Sequence, residues 1–177
     1  LSTLYIWQNR GLFMGYLPDI SEHRPGSAVL CVGIDKPFRF LESESSVWRE
    51  CRSVLVPPGC LHEIQVGGAI LAILFIEPES DDYQTIQDAM LDGEWQCLYG
   101  LVGEEGVLTA LREAWESEPD AAAIHDLLDR LVHRCVRRAP GRGLREHDGW
   151  DDRHPAALDE VAKDPAELLI GDGLVDD

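Results

Sequence analysis

The sequence has few basic side chains. Its 177 residues carry 15 Lys and Arg against 33 Asp and Glu, a formal net charge of -18 at pH 7. A surface of this sign repels a phosphate backbone, so direct nucleic-acid binding by this chain is disfavoured. Residues 1–78 hold 6 basic and 8 acidic side chains, whereas residues 79–177 hold 9 and 25. The change near Pro78 is therefore the first candidate for a structural border.

Long apolar runs and paired cysteine motifs are also missing. No stretch approaches the roughly 20 apolar residues of a membrane span, and no basic start followed by an apolar run indicates a signal peptide. The five cysteines form no CxxC pair, and an odd number cannot all pair within one chain. We therefore expect a cytoplasmic protein with buried, reduced thiols, without membrane contact and without a cofactor.

Short apolar segments fill the first 78 positions, separated by Gly, Pro and Asp at intervals of about ten residues. The pattern predicts eight strands, at residues 3–8, 11–17, 28–34, 37–42, 47–50, 52–56, 61–66 and 69–76. Such a series is typical of a β-sandwich or barrel closed on itself. The last strand has no polar residue, so both of its faces should be covered.

The hydrophobic period changes after Pro78. Apolar residues at three- and four-residue spacing predict helices at 81–99, 104–117 and 120–138. Asp120 is placed to cap the third helix. Residues 139–154 have the composition of a linker, and the acidic residues from 155 onward are interrupted by Pro and Gly.

The most specific local signal is residues 57–62 (PPGCLH), which fit the pattern Pro-x-Gly-x-x-His. Pro and Gly set a tight turn, and the turn feeds a strand whose first inward side chain is the imidazole of His62. His23 precedes the strand at 28–34, where an antiparallel barrel would bring a second imidazole to the same mouth.

This pattern resembles the second motif of the cupin superfamily, whose first motif normally supplies two histidines and a glutamate to a metal. Here Pro25 stands where the second of the paired histidines would be, and Glu42 matches the glutamate only loosely. A catalytic metal needs three or four ligands on one centre. We therefore expect no bound metal; if one is held, His23 and His62 would hold it.

The order of motifs over residues 3–138 is similar to the amino-terminal sensor domain of AraC-family transcription regulators. The segments that carry the likeness are 4–7 (LYIW), 11–15 (GLFMG), 22–24 (EHR), 48–59 (WRECRSVLVPPG) and 71–78 (LAILFIEP). The resemblance implies a cupin-type β-sandwich at 1–78 that binds a small-molecule effector, and a helical dimerisation part at 79–138. It implies DNA binding through a carboxyl-terminal helix-turn-helix region of about 100 residues, which the acidic linker and tail at 139–177 do not provide.

Further candidate residues follow from this interpretation. Besides His62 and His23, an effector could stack on Trp7 or Trp48 and be clamped by Arg39, although large aromatic side chains are mostly core and exposed arginines mostly pair with carboxylates. In the third helix, the apolar stripe fits either packing on the sandwich or a near-heptad seam with a second copy. The resemblance favours the second and implies a homodimer through Ile124, Leu128, Leu131 and Cys135. No catalytic residue is predicted.

Two other functions stay open at this stage. A metal-dependent cupin enzyme, an oxygenase or isomerase, would use His23, His62 and a carboxylate. A stand-alone interaction module would hold its partner through the acidic carboxyl-terminal half. A native reading frame that continues into a helix-turn-helix region would favour the regulator over the module.

Overall fold

A computed structural model describes residues 2–138, without the side chains of Glu94 and residues 134–138. The linker and tail predicted at 139–177, and the side chain of Cys135, lie outside this description. Eleven strands and three helices occur within it. The strands are β1 Ser2–Ile6, β2 Arg10–Tyr16, β3 Ile20–His23, β4 Ala28–Gly33, β5 Phe38–Glu42, β6 Val47–Cys51, β7 Ser53–Val56, β8 His62–Gln65, β9 Ile70–Ile76, β10 Met90–Glu94 and β11 Cys97–Leu101. The helices are α1 Asp81–Asp88, α2 Glu104–Ser117 and α3 Ala121–Arg138.

The strands form two antiparallel sheets. Seven strands follow the order β1-β2-β9-β4-β7-β11-β10, and four follow the order β3-β8-β5-β6. One apolar core lies between the sheets and includes Phe13, Phe38, Phe40 and Ile64. A second core joins the other face of the larger sheet to the helices. The predicted architecture, a β-sandwich with a helical part, is confirmed.

Strand β9 is buried on both faces, because it contributes side chains to both cores. Leu71 and Ile73 point into the core between the sheets. Ala72, Leu74 and Ile76 point into the core under the helices. Successive side chains of a strand face opposite sides, so a strand covered on both sides has no polar position. The expectation that this apolar segment is covered on both faces is therefore confirmed.

The helix predicted at 81–99 is wrong in its second half. The helix ends at Asp88, and residues 90–101 form the β10–β11 hairpin, with a two-residue turn at Trp95 and Gln96. Trp95 has a positive φ of 56°, which a continuing helix does not allow. Strand β11 then pairs with β7, so the β-structure extends beyond Pro78.

The other two helices lie where the pattern predicts them. Helix α2 spans 104–117, and α3 begins at Ala121. The carboxylate of Asp120 accepts a hydrogen bond from the backbone amide of Ala123 at 2.8 Å, which confirms the predicted cap. Within residues 2–138, no helix combines the length and apolar character that crossing a membrane requires.

One buried arginine ties the larger sheet to the helices. The Arg10 side chain, at the start of β2, is 4% exposed and lies 2.9 Å from the carboxylate of Asp82 in α1. Its guanidinium also donates to Asp129 of α3, and this hydrogen bond holds the pKa of Asp129 below its usual range. A single cation thus fixes both helices against the same strand.

Candidate functional site

The Pro-x-Gly-x-x-His turn has the geometry that the sequence predicts. Strand β7 ends at Val56 and β8 begins at His62. Gly59 has a φ of +75°, a left-handed conformation that L side chains rarely adopt, which accounts for glycine there. Its amide donates to the carbonyl of Pro25 at 2.8 Å, so the turn is fastened to the segment that follows His23.

The turn places the buried imidazole of His62 beside that of His23. His62 is 2% exposed. It pairs with His23 across strands β3 and β8, and their ring centroids are 4.2 Å apart. The ring of Phe40 stacks on the other side of His62 at 5.1 Å. The structure therefore places His23 and His62 side by side, as the sequence predicts.

The hydrogen bonds of the two rings fix their tautomers. Nδ1 of His62 lies 2.9 Å from the carbonyl oxygen of Cys60, and Nδ1 of His23 lies 3.0 Å from that of Ser21. A carbonyl oxygen only accepts, so each Nδ1 carries the proton and each neutral ring has an acceptor lone pair at Nε2.

Burial keeps both rings neutral. Desolvation lowers the pKa of His62 to about 4, although its bond to the Cys60 carbonyl acts in the opposite direction. The same burial effect lowers the pKa of His23. The site therefore presents two uncharged imidazoles side by side.

The pocket around the imidazoles is apolar and small. Its wall combines residues of both sheets: Ile20, Pro25, Val29, Cys31, Ile64, Ile73 and Phe75. The cavity volume is about 10 Å³, which is close to the space that one water molecule needs. A ligand larger than water would require the pocket to widen.

The arrangement does not fit the metal centre that the cupin resemblance implies. Such a centre needs a third ligand beside His23 and His62. Among the side chains that the structure describes, only one group of three metal-ligating residues lies within reach of a single ion, and it contains neither histidine. No reaction step through a histidine-bound metal follows from this geometry.

The other three residues predicted to contact a ligand lie elsewhere. Arg39 stacks over Trp48 at 5.2 Å and donates to the Gln65 side chain. Arg39 lies on the outer face of the four-stranded sheet, because Phe38 and Phe40 on either side of it in β5 point inward. Trp48, in the paired strand β6, lies on the same outer face. Trp7 packs on the helix side, stacked on Tyr5 and edge-on to His125. Of the five predicted residues, the structure therefore places the two histidines together in a pocket, Arg39 and Trp48 together on an outer face, and Trp7 apart from both pairs.

The seam predicted on α3 faces the chain's own core. Ile124 is 0% exposed, Leu128 4% and Leu131 7%, and all three pack under the larger sheet. These side chains are already covered in a single chain, so they do not form an exposed seam. The periodicity is that of an amphipathic helix on a sheet, and over the roughly two turns from Ile124 to Leu131 it has the same spacing as a heptad seam.

A larger cavity lies between the helices and the seven-stranded sheet. Its volume is about 40 Å³, and its lining is wholly aliphatic, including Leu12, Leu74, Leu111 and Leu131. A binding site normally contains a few polar groups that fix the ligand's orientation. This cavity offers none, and empty apolar gaps of this kind are found in protein cores.

The sequence interpretation missed a cluster at one end of the sandwich. Glu42, Cys60 and Cys97 are all buried there, with ligand atoms close together. Cys60 belongs to the recognised turn, and the alternation of β5 points Glu42 inward, so these two positions could have been found. Cys97 could not, because its segment was assigned to a helix.

Comparisons with known proteins give fold likeness only. No protein-family model matches the chain, and no curated protein sequence matches it. A cupin domain from Bordetella pertussis is similar in structure, with 18% identity, coverage of 44% of this chain and 92% of that one, and a TM-score of 0.35. Apo ToxT from Vibrio cholerae has 8% identity over 76% of this chain and 59% of that one, with a TM-score of 0.49. Oxalate decarboxylase from Bacillus subtilis has 14% identity over 67% and 31%, with a TM-score of 0.32. At these values the likenesses assign no function.

Proposed function

We propose that the chain is the effector-sensing domain of an AraC-type transcription regulator and binds a small molecule in the pocket that His23 and His62 line together. The observation that supports this proposal is the pair of imidazoles inside an otherwise apolar pocket, 4.2 Å between ring centroids. A mostly apolar pocket with a few convergent polar groups is typical of small-molecule sites.

The hydrogen-bonding pattern defines the chemistry of the ligand. Both Nδ1 atoms are bound to carbonyl oxygens, so the rings face the ligand as acceptors at Nε2. The walls supply apolar contact through Val29, Ile64 and Ile73. A fitting effector is therefore a small, largely apolar molecule with one or two hydroxyl or amine donors.

The small volume of the pocket requires an opening motion, and β3 is the element best suited to move. It is a four-residue edge strand that pairs only with β8, and its register is irregular between Ile20 and His23. A short edge strand has few hydrogen bonds to lose. Ligand binding would select the opened state and bias the domain between two arrangements.

Strand β9 offers a route from the pocket to the helices. Ile73 lines the pocket, and its neighbours Ala72 and Leu74 line the helix–sheet cavity on the opposite face. A shift of β9 would therefore change the packing of α1 to α3. A second copy of the chain would have to pair through surfaces other than the buried seam of α3.

The main alternative, a metal-dependent cupin enzyme, is less well supported. It needs a carboxylate or a third imidazole within reach of an ion held by His23 and His62, and the one group of three metal-ligating residues among the described side chains includes neither histidine. ToxT, one of the similar structures, is an AraC-family regulator, but that likeness is of fold and adds no argument.

A thermal-shift screen tests the proposed function. Small hydroxylated and aminated aromatic and aliphatic compounds are screened against the full chain. At about 100 times its Kd, a ligand stabilises the folded state by about 2.7 kcal/mol, which raises Tm by several degrees. We expect a hit whose shift is lost in His23→Ala, because that variant removes one acceptor from the pocket.

The matched control is His133→Ala, on the exposed face of α3, where the ring is hydrogen-bonded to the carbonyl of Asp129 and does not line the pocket. It should keep the full shift. A hit that stabilises His23→Ala as much as the wild type would contradict binding in the pocket that the imidazoles line.

A further inference from the structure

A buried cluster of two thiols and a carboxylate lies outside the imidazole pair. Glu42 ends β5, Cys60 lies in the turn before β8, and Cys97 begins β11. Their exposures are 2%, 2% and 0%. Because β5 belongs to the four-stranded sheet and β11 to the seven-stranded sheet, the cluster joins the two sheets at one end of the sandwich.

The spacing of the donor atoms suits one metal ion. The Sγ atoms of Cys60 and Cys97 are 3.5 Å apart, and one ligand atom from each of the three residues lies within 4.8 Å of the others. Tetrahedral zinc with Zn–S bonds of about 2.3 Å holds two sulfurs about 3.8 Å apart. A disulfide would require about 2.05 Å. The thiols therefore stand at a separation close to that of two zinc ligands.

We infer that Glu42, Cys60 and Cys97 form a binding site for a thiophilic divalent cation, zinc in the first instance. Two thiolates and one carboxylate are a donor set that zinc accepts. The set contains no histidine, so it differs from the histidine-rich centre that the cupin resemblance implies. It also goes beyond the proposed sensing function, because neither imidazole of the pocket takes part.

The surroundings support a preformed site. The backbone amide of Gln96 donates to Oε1 of Glu42 at 2.7 Å, and such outer hydrogen bonds orient a ligating carboxylate. In the metal-free cluster, the hydrogen bond to Cys60, burial and the charge of Glu42 all raise the pKa of Cys97. The thiol of Cys97 would therefore release its proton as the cation binds.

A metal bound at this site would rigidify the turn next to the ligand pocket. Cys60 and His62 belong to the same turn, and the carbonyl of Cys60 holds the ring of His62. A metal bound by Cys60 would fix this turn against β5 and β11. Three protein ligands leave one tetrahedral position for water or another small donor.

Metal binding to the full, reduced chain tests this inference. Protein treated with a phosphine reductant is loaded with zinc chloride, desalted and analysed for metal by mass spectrometry. We expect one zinc per chain, with affinity lowered at least about 100-fold in the Cys60→Ser, Cys97→Ser double variant. Glu42→Gln should weaken binding less, since both thiolates remain.

A cobalt titration of the unmodified chain supplies a readout that does not depend on the folding of a variant. Thiolate ligation produces a sulfur-to-cobalt charge-transfer band, which carboxylate ligation at the acidic surface does not. Cys51→Ser and Cys135→Ser are the matched controls and should keep both the band and the bound zinc. The inference is overturned if the reduced wild type retains no zinc or gives no such band, or if the double variant binds zinc as tightly as the wild type.

Discussion

Replacing Leu131 by arginine is expected to destabilise the domain strongly. Leu131 is 7% exposed and lines the aliphatic cavity between α3 and the larger sheet. An arginine there would leave a charge without a partner in an apolar layer, at a cost of about 4 kcal/mol or more. Because a domain of this kind has about 5 to 15 kcal/mol of stability, much of the total would be lost. Urea unfolding followed by circular dichroism measures the change.

The matched control is Ala122→Arg, at an exposed position on the same helix. It should change the free energy of unfolding by less than about 0.5 kcal/mol. If Leu131→Arg were as stable as this control, and light scattering showed that it only turned a dimer into a monomer, Leu131 would face a second chain. The inward packing of α3 would then be incorrect.

Truncating Arg10 to alanine should have the second-largest effect. The guanidinium links β2 to Asp82 of α1 and Asp129 of α3, and its side chain is 4% exposed. Losing it removes both ion pairs and the packing of its methylene groups. The aspartates are 28% and 46% exposed and regain water, so we expect a loss at the lower end for broken buried pairs, about 3 kcal/mol.

Arg10→Met separates the two contributions, because methionine keeps most of the apolar packing without the charge. It should be more stable than Arg10→Ala and less stable than the wild type. Arg39→Met, at an exposed arginine on the outer face of the small sheet, is the control and should be nearly neutral. Chemical unfolding of all three variants provides the comparison. An Arg10→Ala variant within about 0.5 kcal/mol of the wild type would show that Arg10 does not hold the helices.

Local patterns predicted most of the β-sandwich, because turns and the alternation of inward and outward side chains depend on only a few neighbouring residues. The apolar run of β9 indicated burial on both faces, and the Pro-x-Gly-x-x-His turn placed His62 at the start of a buried strand. Strand β3 was missed because only Ile20 in it is fully buried. A strand with a single buried side chain gives no alternation to detect.

The errors concern contacts between distant segments. Met90, Leu91, Leu98 and Tyr99 repeat at spacings compatible with a helix. Only the pairing of β10 with β11, and of β11 with β7, shows that they form a hairpin at the edge of the larger sheet. That error hid Cys97, and with it the cluster of Glu42, Cys60 and Cys97. Likewise, the spacing of the apolar residues in α3 is the same whether the helix packs on a sheet of its own chain or on a partner helix.

The most direct test of the sensing account is the NMR response of the histidine rings to a ligand found in the thermal-shift screen. Long-range proton–nitrogen correlations report the protonation and hydrogen bonding of each imidazole. We predict that the Nε2 signals of His23 and His62 shift on binding, whereas those of His125 and His133 stay in place. If the imidazole signals do not change and the methyl signals of Leu111 and Leu131 shift instead, the ligand occupies the helix–sheet cavity and the proposed sensing site is wrong.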